Sequence, residues 1–294
     1  MHLFNPSHIP ICHSGGVTRL QKNEFHQFSS GIFEKKGTAE KVELYAAIKQ
    51  AMTQSIDQVL FNFSHWTWMA PIQLTVGNIL RVSVPAPIGH AVFAVSMPTA
   101  IIGNMDKGEH CFPSLFLIDE NNVLIGTTAH QVDNNPIGKT FDTTINIFCY
   151  ESEGAPGWRK VLYSSLSNLS QGNANTAVLL LATAVELYAD YLFAKDLEQK
   201  GVAQTEVEHR VSEVRLWRPK VARVTNILEV LLPGFDKSAF AEALGEFMEK
   251  VRNPRNAYVH RHSKDLTKAE AHEAFYAAFE LLWKYDQLDS ILDP

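Results

Sequence analysis

The sequence Glu151-Ser-Glu-Gly-Ala-Pro-Gly157 separates two parts of the chain that differ in composition. Its glycines and proline, with no large apolar residue among them, are typical of a linker. Before it, residues 70–150 are rich in Val, Ile, Thr, Phe, Gly and Pro, which favour strands and turns. After it, the chain is rich in Ala, Leu, Glu and Lys, which favour helices. We therefore predict an α+β protein with two domains, residues 1–153 and residues 154–294.

The first domain is predicted to be mainly antiparallel and β-rich, with one helix. Apolar residues recur every four positions from Leu44 to Leu60, which indicates an amphipathic helix that begins after Thr38. The strand candidates are residues 72–84, 91–97, 115–118, 123–128 and 143–150. Between two of them, Asp119-Glu-Asn-Asn122 indicates a hairpin turn. An aromatic cluster favours a buried core over a ligand platform: Phe61, Phe63, Trp66 and Trp68.

The second domain is predicted to be an all-α bundle. Helices are expected over residues 158–167, 174–198, 207–215, 220–232 and 239–251. The most apolar stretch, residues 177–193, is short for a membrane span and carries Glu186 and Asp190, so we assign it to the bundle. We expect no membrane association.

Local signals mark where the last helices begin and end. Asp236 or Ser238 is predicted to cap the helix at residues 239–251, and Thr267-x-x-Glu270 is a capping box that opens the last helix. Its buried stripe is predicted to comprise Ala271, Phe275, Ala278, Phe279 and Leu282. Pro254 disfavours helical geometry at the preceding residue, so we expect a break or kink at Asn253. A new short helix would then cover residues 255–262.

Composition restricts the functional class. A chain of 294 residues with 46% hydrophobic residues and a net charge of −6 is typical of a soluble globular protein. Nucleic acid would therefore have to bind a local basic patch. The cysteines, Cys12, Cys111 and Cys149, are far apart and form no Cys-x-x-Cys pair, which argues against a disulfide framework or a zinc knuckle. Together with a start that does not resemble a signal peptide, they favour the cytoplasm.

The basic patch is found at residues 250–264, which contain five lysines and arginines and no Asp or Glu. Within it, Arg255 and His260 are separated by four residues. Imidazole can move a proton near neutral pH, and guanidinium can neutralise charge on a phosphate. On a helix the two side chains would lie about 140° apart, but arginine is long enough for both to reach one point beside the helix. Asn256 shares a face with His260 and would orient the histidine or the phosphate. The pattern suits cleavage of RNA by its own 2′-hydroxyl, although an exposed basic turn would carry the same residues.

An acidic residue in the apolar helix is a second signal. A buried carboxylate without a partner would cost several kcal/mol. We therefore expect Glu186 to face a cation, either Arg252 or Arg255, or to lie at the margin of the apolar stripe in contact with water.

The C-terminal half, residues 157–290, resembles the HEPN domain, an α-helical bundle found in many prokaryotic ribonucleases of toxin and phage-defence systems. The signature of that family is an arginine, often followed by asparagine, and then a histidine after four to six intervening residues. Arg255-Asn256-Ala257-Tyr258-Val259-His260 matches the shortest spacing. Ala184-Val185-Glu186-Leu187-Tyr188 is similar to the acidic element that the family carries in an early apolar helix.

The resemblance implies a homodimer in which two copies of the motif form one RNA cleft. Cleavage would need neither metal nor cofactor and would leave a 2′,3′-cyclic phosphate. The catalytic residues would be Arg255, Asn256 and His260. Substrate contacts are expected from Glu186, Arg252, Tyr258, Arg261, His262 and Lys264. Tyr258 could stack on a base or serve as a half-buried packing residue.

Two functions remain open at this point. The first is a cytoplasmic endoribonuclease of toxin or antiviral defence, whose β-rich domain responds to a regulatory ligand or antitoxin partner or selects the RNA. The alternative is an inactive HEPN-like module that binds a nucleotide or RNA and dimerises. A metal site at His260, His262 and His272 is disfavoured because no carboxylate or cysteine has suitable spacing.

Overall fold

The computed structural model describes residues 17–18, 25–28, 38–52, 56–97, 102–104, 109–119, 121–128, 137–213, 217–231, 234–261 and 265–292. The chain divides into two compact units, Met1–Gly154 and Ala155–Pro294. The division lies inside the sequence Glu151–Gly157. The described strands all belong to the first unit, and the described part of the second unit is helical, so the architecture is mixed α+β.

The first unit contains two antiparallel sheets and two described helices. Its elements are β1 (Val17–Thr18), β2 (Phe25–Phe28), α1 (Thr38–Met52), α2 (Ile56–Phe63), β3 (Trp66–Thr75), β4 (Leu80–Ser83), β5 (His90–Ser96), β6 (Ile102–Asn104), β7 (Glu109–Asp119), β8 (Asn122–Thr128) and β9 (Thr140–Glu151). One sheet has the order β1-β2-β3-β9-β5 and the other β4-β8-β7-β6.

Alternation along β3 builds the core of this unit. β3 pairs with β9 over its whole length, from Trp66 opposite Cys149 to Thr75 opposite Thr140. Successive side chains of a strand point to opposite faces. Trp66, Trp68, Ala70 and Leu74 therefore share one face, where they cluster with Val123 and Ile125 of the second sheet. Phe63, Trp66 and Trp68 are buried, which confirms that the aromatic cluster belongs to the core.

One prediction for this unit needs correction. The single strand expected at residues 72–84 is two strands in different sheets, because β3 ends at Thr75 and β4 begins at Leu80. Gly77 lies between them with a φ of 89°, a conformation that glycine adopts easily and that turns the chain. The single helix expected from Leu44 to Leu60 is described as α1 and α2, and residues 53–55 lie outside the described residues. The predicted hairpin is confirmed, with Asp119 paired to Asn122.

The second unit is built around one long helix. Its elements are α3 (Gly157–Ser170), α4 (Ala174–Gln199), α5 (Gln204–Glu213), α6 (Trp217–Leu231), α7 (Lys237–Phe247), a π-helical turn (Met248–Arg252), α8 (Asn253–Arg261) and α9 (Lys268–Leu292). α4 contacts α3, α5, α6, α8 and α9. It has the length and composition of a membrane span, alone among the helices of the described part, but half of its most apolar window is buried inside the unit.

Aromatic residues join α3, α4 and α9 in the core of the bundle. The rings of Trp158 and Tyr188 stack with their centroids 3.9 Å apart, and Tyr285 meets Tyr188 edge-on at 5.8 Å. The stripe predicted for α9 is buried: Ala271, Phe275, Ala278, Phe279 and Leu282. These contacts fix the orientation of α4, on which the candidate site depends.

The predicted helix caps are confirmed. The Asp236 carboxylate accepts hydrogen bonds from the backbone N–H groups of Ser238 and Ala239 at 2.9 and 3.0 Å. Thr267 and Glu270 form the reciprocal capping box: the Thr267 N–H donates to Glu270 Oε2 at 2.7 Å, and the Glu270 N–H donates to Thr267 Oγ1 at 3.2 Å.

Of the break or kink expected at Asn253, the break is excluded, because α7, the π-helical turn and α8 form one continuous helix from Lys237 to Arg261. The irregularity at this place is the π-helical turn, which ends at Arg252. Asn253 is helical, with φ −64° and ψ −46°, and its N–H donates to the Met248 carbonyl five residues earlier. A proline ring collides with the carbonyl four residues before it, and a wide turn separates the two. Phe247 and Val251 are fully buried at this turn, so packing holds the helix together.

Candidate functional site

The predicted catalytic residues lie on α8, the last part of this continuous helix. Arg255 and Asn256 are half-buried, and His260 is exposed near the end of the helix. Arg255 Nη1 donates a hydrogen bond to Asn256 Oδ1 at 2.9 Å. Arg255 Nε is buried and has no hydrogen-bond partner among the described residues. The guanidinium is thus held beside its own helix, while its Nε–H has no acceptor in the described part of the chain.

Asn256 contacts the arginine of the motif. The sequence predicts that Asn256 orients His260 or a phosphate, and in the structure its amide oxygen accepts from the neighbouring Arg255. Sequence spacing gave no signal for this bond, since adjacent helical residues ordinarily point in different directions.

Glu186 of α4 meets the arginine before the motif. Its Oε1 lies 3.6 Å from Arg252 Nε, and the two side chains are 31% and 22% exposed. Of the two partners predicted for Glu186, Arg252 is the one in contact. Glu186 also reaches solvent, so it lies at the margin of the apolar stripe as well. Within the described part of the chain Arg255 forms no ion pair, so its charge is available to attract an anion.

The other lysines and arginines of the basic patch are either paired with a carboxylate or have side chains that lie outside the described residues. Lys250 Nζ lies 2.8 Å from Glu246 Oε2, and the hydrogen bond that Lys250 donates to Glu246 raises the pKa of Lys250. The side chain of Arg261 and the whole of His262 and Lys264 lie outside the described residues. The net positive charge that the described structure assigns to the site is therefore centred on Arg255.

Apolar side chains are exposed beside the motif. Tyr258 and Val259 on α8 are 37% and 41% exposed, and Leu187, the residue after Glu186 on α4, is 37% exposed. The partial exposure of Tyr258 fits both expectations, a ring accessible to a base and a half-buried packing residue. Large apolar residues that are exposed close together mark a surface used for binding.

Asn175 positions the chain after α8, a residue that the sequence analysis did not single out. Its amide nitrogen donates to Asp265 Oδ1 at 2.7 Å, and its amide oxygen accepts from the Leu266 N–H at 2.9 Å. These bonds fix the segment before α9 to the N-terminal end of α4. The partners are 90 residues away in sequence, which is why no local pattern revealed them.

His262, one of the three histidines considered for a metal site, lies outside the described residues. Among the described residues, no group of three or more His, Cys, Asp or Glu side chains is placed to hold a metal ion. His272 of α9 is half-buried. Burial is the main cause that lowers its pKa, and the nearby charge of Lys268 lowers it further.

The arrangement combines an exposed imidazole with a guanidinium fixed on the same short helix, and both groups can act on a phosphodiester. Their directions on α8 are far apart, so one copy of the helix presents them to different sides. Comparison of the chain with models of protein families, with curated proteins and with solved structures found no match.

Proposed function

We propose that the protein is a metal-independent endoribonuclease whose active site forms between two copies of the helical unit. The observation that carries the proposal is the pairing of exposed His260 with the fixed, half-buried guanidinium of Arg255 on one helix. The resemblance of residues 157–290 to HEPN ribonucleases supports the same chemistry.

The reaction needs only groups that the chain and the RNA provide. His260 accepts the proton of a ribose 2′-hydroxyl, and the resulting oxygen attacks the adjacent phosphorus. A bond forms between that oxygen and phosphorus while the bond from phosphorus to the 5′ oxygen breaks. The leaving oxygen takes a proton from His260 of the partner subunit. Arg255 stabilises the negative charge that grows on the non-bridging oxygens. The products are a 2′,3′-cyclic phosphate and a 5′-hydroxyl.

The geometry of α8 supports a site shared by two copies. Arg255 and His260 are about 140° apart around a regular helix, so a second copy would complete the set of groups around a phosphate. The exposed apolar residues Leu187, Tyr258 and Val259 lie on the same helices as the site and suit burial against a twofold-related copy. Such a dimer brings the two α8 helices together.

The biological setting is proposed from the resemblance alone. We place the protein in the cytoplasm, as a nuclease of toxin or antiviral defence. The β-rich first unit would then bind a regulatory ligand or an antitoxin partner, or select the RNA. Arg252, Tyr258, Arg261, His262 and Lys264 are proposed RNA contacts, and Glu186 acts on the substrate through Arg252.

One observation favours the alternative of an inactive binding module. Arg255 is already hydrogen-bonded by Asn256, and Glu186 offsets the charge of Arg252. A site of this kind could hold a nucleotide or RNA phosphate without cutting it. Tight nucleotide binding by calorimetry, together with intact RNA after long incubation, would favour this alternative.

The test is RNA cleavage by purified protein in EDTA. His260→Ala should lower the cleavage rate by roughly 100- to 10,000-fold, the contribution of a general acid or base. His209→Ala is the matched control, because His209 is an exposed histidine on α5 with its side chain 64% exposed. Equal rates for His260→Ala, Arg255→Ala and His209→Ala would remove the proposal.

A further inference from the structure

The helix that carries the site runs through a proline by means of one wide turn. The Asn253 N–H bonds to the Met248 carbonyl, five residues back instead of the four of an α-helix. The next residue, Pro254, has no N–H, and its ring needs space from the Lys250 carbonyl. A wide turn supplies that space and contains one residue more than an α-helical turn.

The extra residue changes which side chains face the bundle. Each helical residue advances about 100° around the axis, so one additional residue turns everything after it back by about the same angle. In an uninterrupted α-helix, Arg252 and Arg255 would point about 140° and 80° away from Phe247. After the wide turn they point about 40° and 20° away. Since Phe247 is fully buried, the turn directs both arginines toward the bundle.

The observed contacts agree with this rotation. Arg252 reaches Glu186 of α4 at 3.6 Å, and Arg255 is half-buried with its Nε enclosed. The turn therefore directs the guanidinium groups inward.

We propose that Pro254 is a positioning residue, which maintains the wide turn and thereby aims Arg252 and Arg255 at the α4 side of the site. The expected effect of Pro254 on RNA cleavage rests on the proposed ribonuclease function. Its effect on the direction of Arg252 and Arg255 does not. Pro254 touches no substrate and acts through the arginines.

The experiment uses a disruption and its geometric rescue in the full-length chain. In Pro254→Ala the steric reason for the wide turn is gone, so the Asn253 N–H should bond to the Glu249 carbonyl and rotate Arg255 away. Alanine is a good helix former, so the melting temperature should not fall. RNA cleavage in EDTA should fall roughly 100-fold, as expected when a catalytic group is displaced.

Deletion of the exposed Glu249 from the Pro254→Ala chain provides the rescue. An α-helix shortened by one residue between Phe247 and Arg255 again places Arg255 about 20° from Phe247. Cleavage should return to within about threefold of the wild type, as a smaller axial shift costs less than a rotation. A merely structural role for Pro254 would not be reversed by removing a second residue.

Crystal structures of the two variants separate this proposal from the ribonuclease proposal. Retention of the Asn253 to Met248 hydrogen bond in Pro254→Ala would overturn the positioning role, as would full cleavage by that variant. Failure of the deletion to restore cleavage in a folded chain would also overturn it. If the wild type cuts no RNA, the ribonuclease proposal fails, and the crystal structures still decide whether Pro254 sets the turn.

Discussion

Two buried tyrosines of the helical unit should respond in opposite directions to loss of their hydroxyl groups. Tyr285 is fully buried, and its hydroxyl has no hydrogen-bond partner among the described residues. Burial, with a smaller effect of Asp190, raises its pKa above the usual range, so the hydroxyl remains protonated. A buried hydroxyl without a partner costs about 1–3 kcal/mol. Tyr285→Phe should therefore increase the free energy of unfolding by about 1 kcal/mol.

Tyr188 provides the matched comparison. It is equally buried, but its hydroxyl donates to Asp289 Oδ2 at 3.4 Å, and Lys195 Nζ bonds to Asp289 Oδ1 at 2.7 Å. Tyr188→Phe keeps the ring that stacks on Trp158 and loses only the hydrogen bond. Because that bond is long, we expect a decrease in unfolding free energy of about 1 kcal/mol.

Urea unfolding and differential scanning calorimetry measure both effects. A change of 1 kcal/mol in a unit of this size corresponds to a shift in melting temperature of about 3 °C. Tyr285→Phe should melt above the wild type and Tyr188→Phe below it. If Tyr285→Phe loses as much stability as Tyr188→Phe, the Tyr285 hydroxyl has a partner such as buried water, and the reasoning is refuted.

Three further predictions concern the last helix and the proposed dimer. Glu270→Ala should lower the unfolding free energy by about 0.5–2 kcal/mol through loss of the capping box, whereas Glu273→Ala, an exposed change on the same helix, should be near neutral in urea titrations. Burial lowers the pKa of His272 below its ordinary 6.5, so the folded chain prefers the neutral ring. The contribution of His272 to the free energy of unfolding is therefore present above about pH 6.5 and is lost as the pH falls through the lowered pKa. Unfolding free energies measured from about pH 7.5 to 5.5 should fall less steeply for His272→Gln than for the wild type, and equal slopes would contradict the assignment. Leu187→Glu should shift the dimer to monomer in sedimentation velocity, with Val230→Glu, exposed by 80%, as the control that leaves it intact.

Features that depend on neighbouring residues could be predicted from the sequence. The Asp236 cap and the Thr267–Glu270 box involve groups within one helical turn, so a short motif contains the whole interaction. The buried stripe of α9 was predicted for the same reason, since the spacing of apolar residues along one helix indicates its buried face without information on the neighbouring helices.

Features that depend on residues far apart in the chain could not be predicted from the sequence. The sequence did not reveal that β3 and β4 separate into different sheets, because strand pairing joins residues far apart in the chain. The glycine turn at Gly77 was hidden within a run that alternated well enough to suggest one strand. The break or kink expected at Asn253 rests on the local effect of a proline on the residue before it. That rule contains no information on the burial of Phe247 and Val251 or on the wide turn by which the helix passes the proline.

In the candidate site, too, the features set by nearby residues could be predicted and those set by distant residues could not. Spacing predicted that Arg255, Asn256 and His260 share one helix, and the structure describes them all on α8. It did not determine whether Arg252 or Arg255 meets Glu186, because that choice depends on the wide turn before Pro254. The direction of each arginine depends on the extra residue in that turn.

The most direct test of the central claim is the chemistry of the RNA ends that the protein produces. Mass spectrometry of fragments formed in EDTA should find 2′,3′-cyclic phosphates with the wild type, none above background with His260→Ala, and none from RNA methylated at every 2′-oxygen. Fragments with 3′-hydroxyl ends, cleavage of the methylated RNA, or unchanged cleavage by His260→Ala would contradict a site in which Arg255 and His260 direct attack by the ribose.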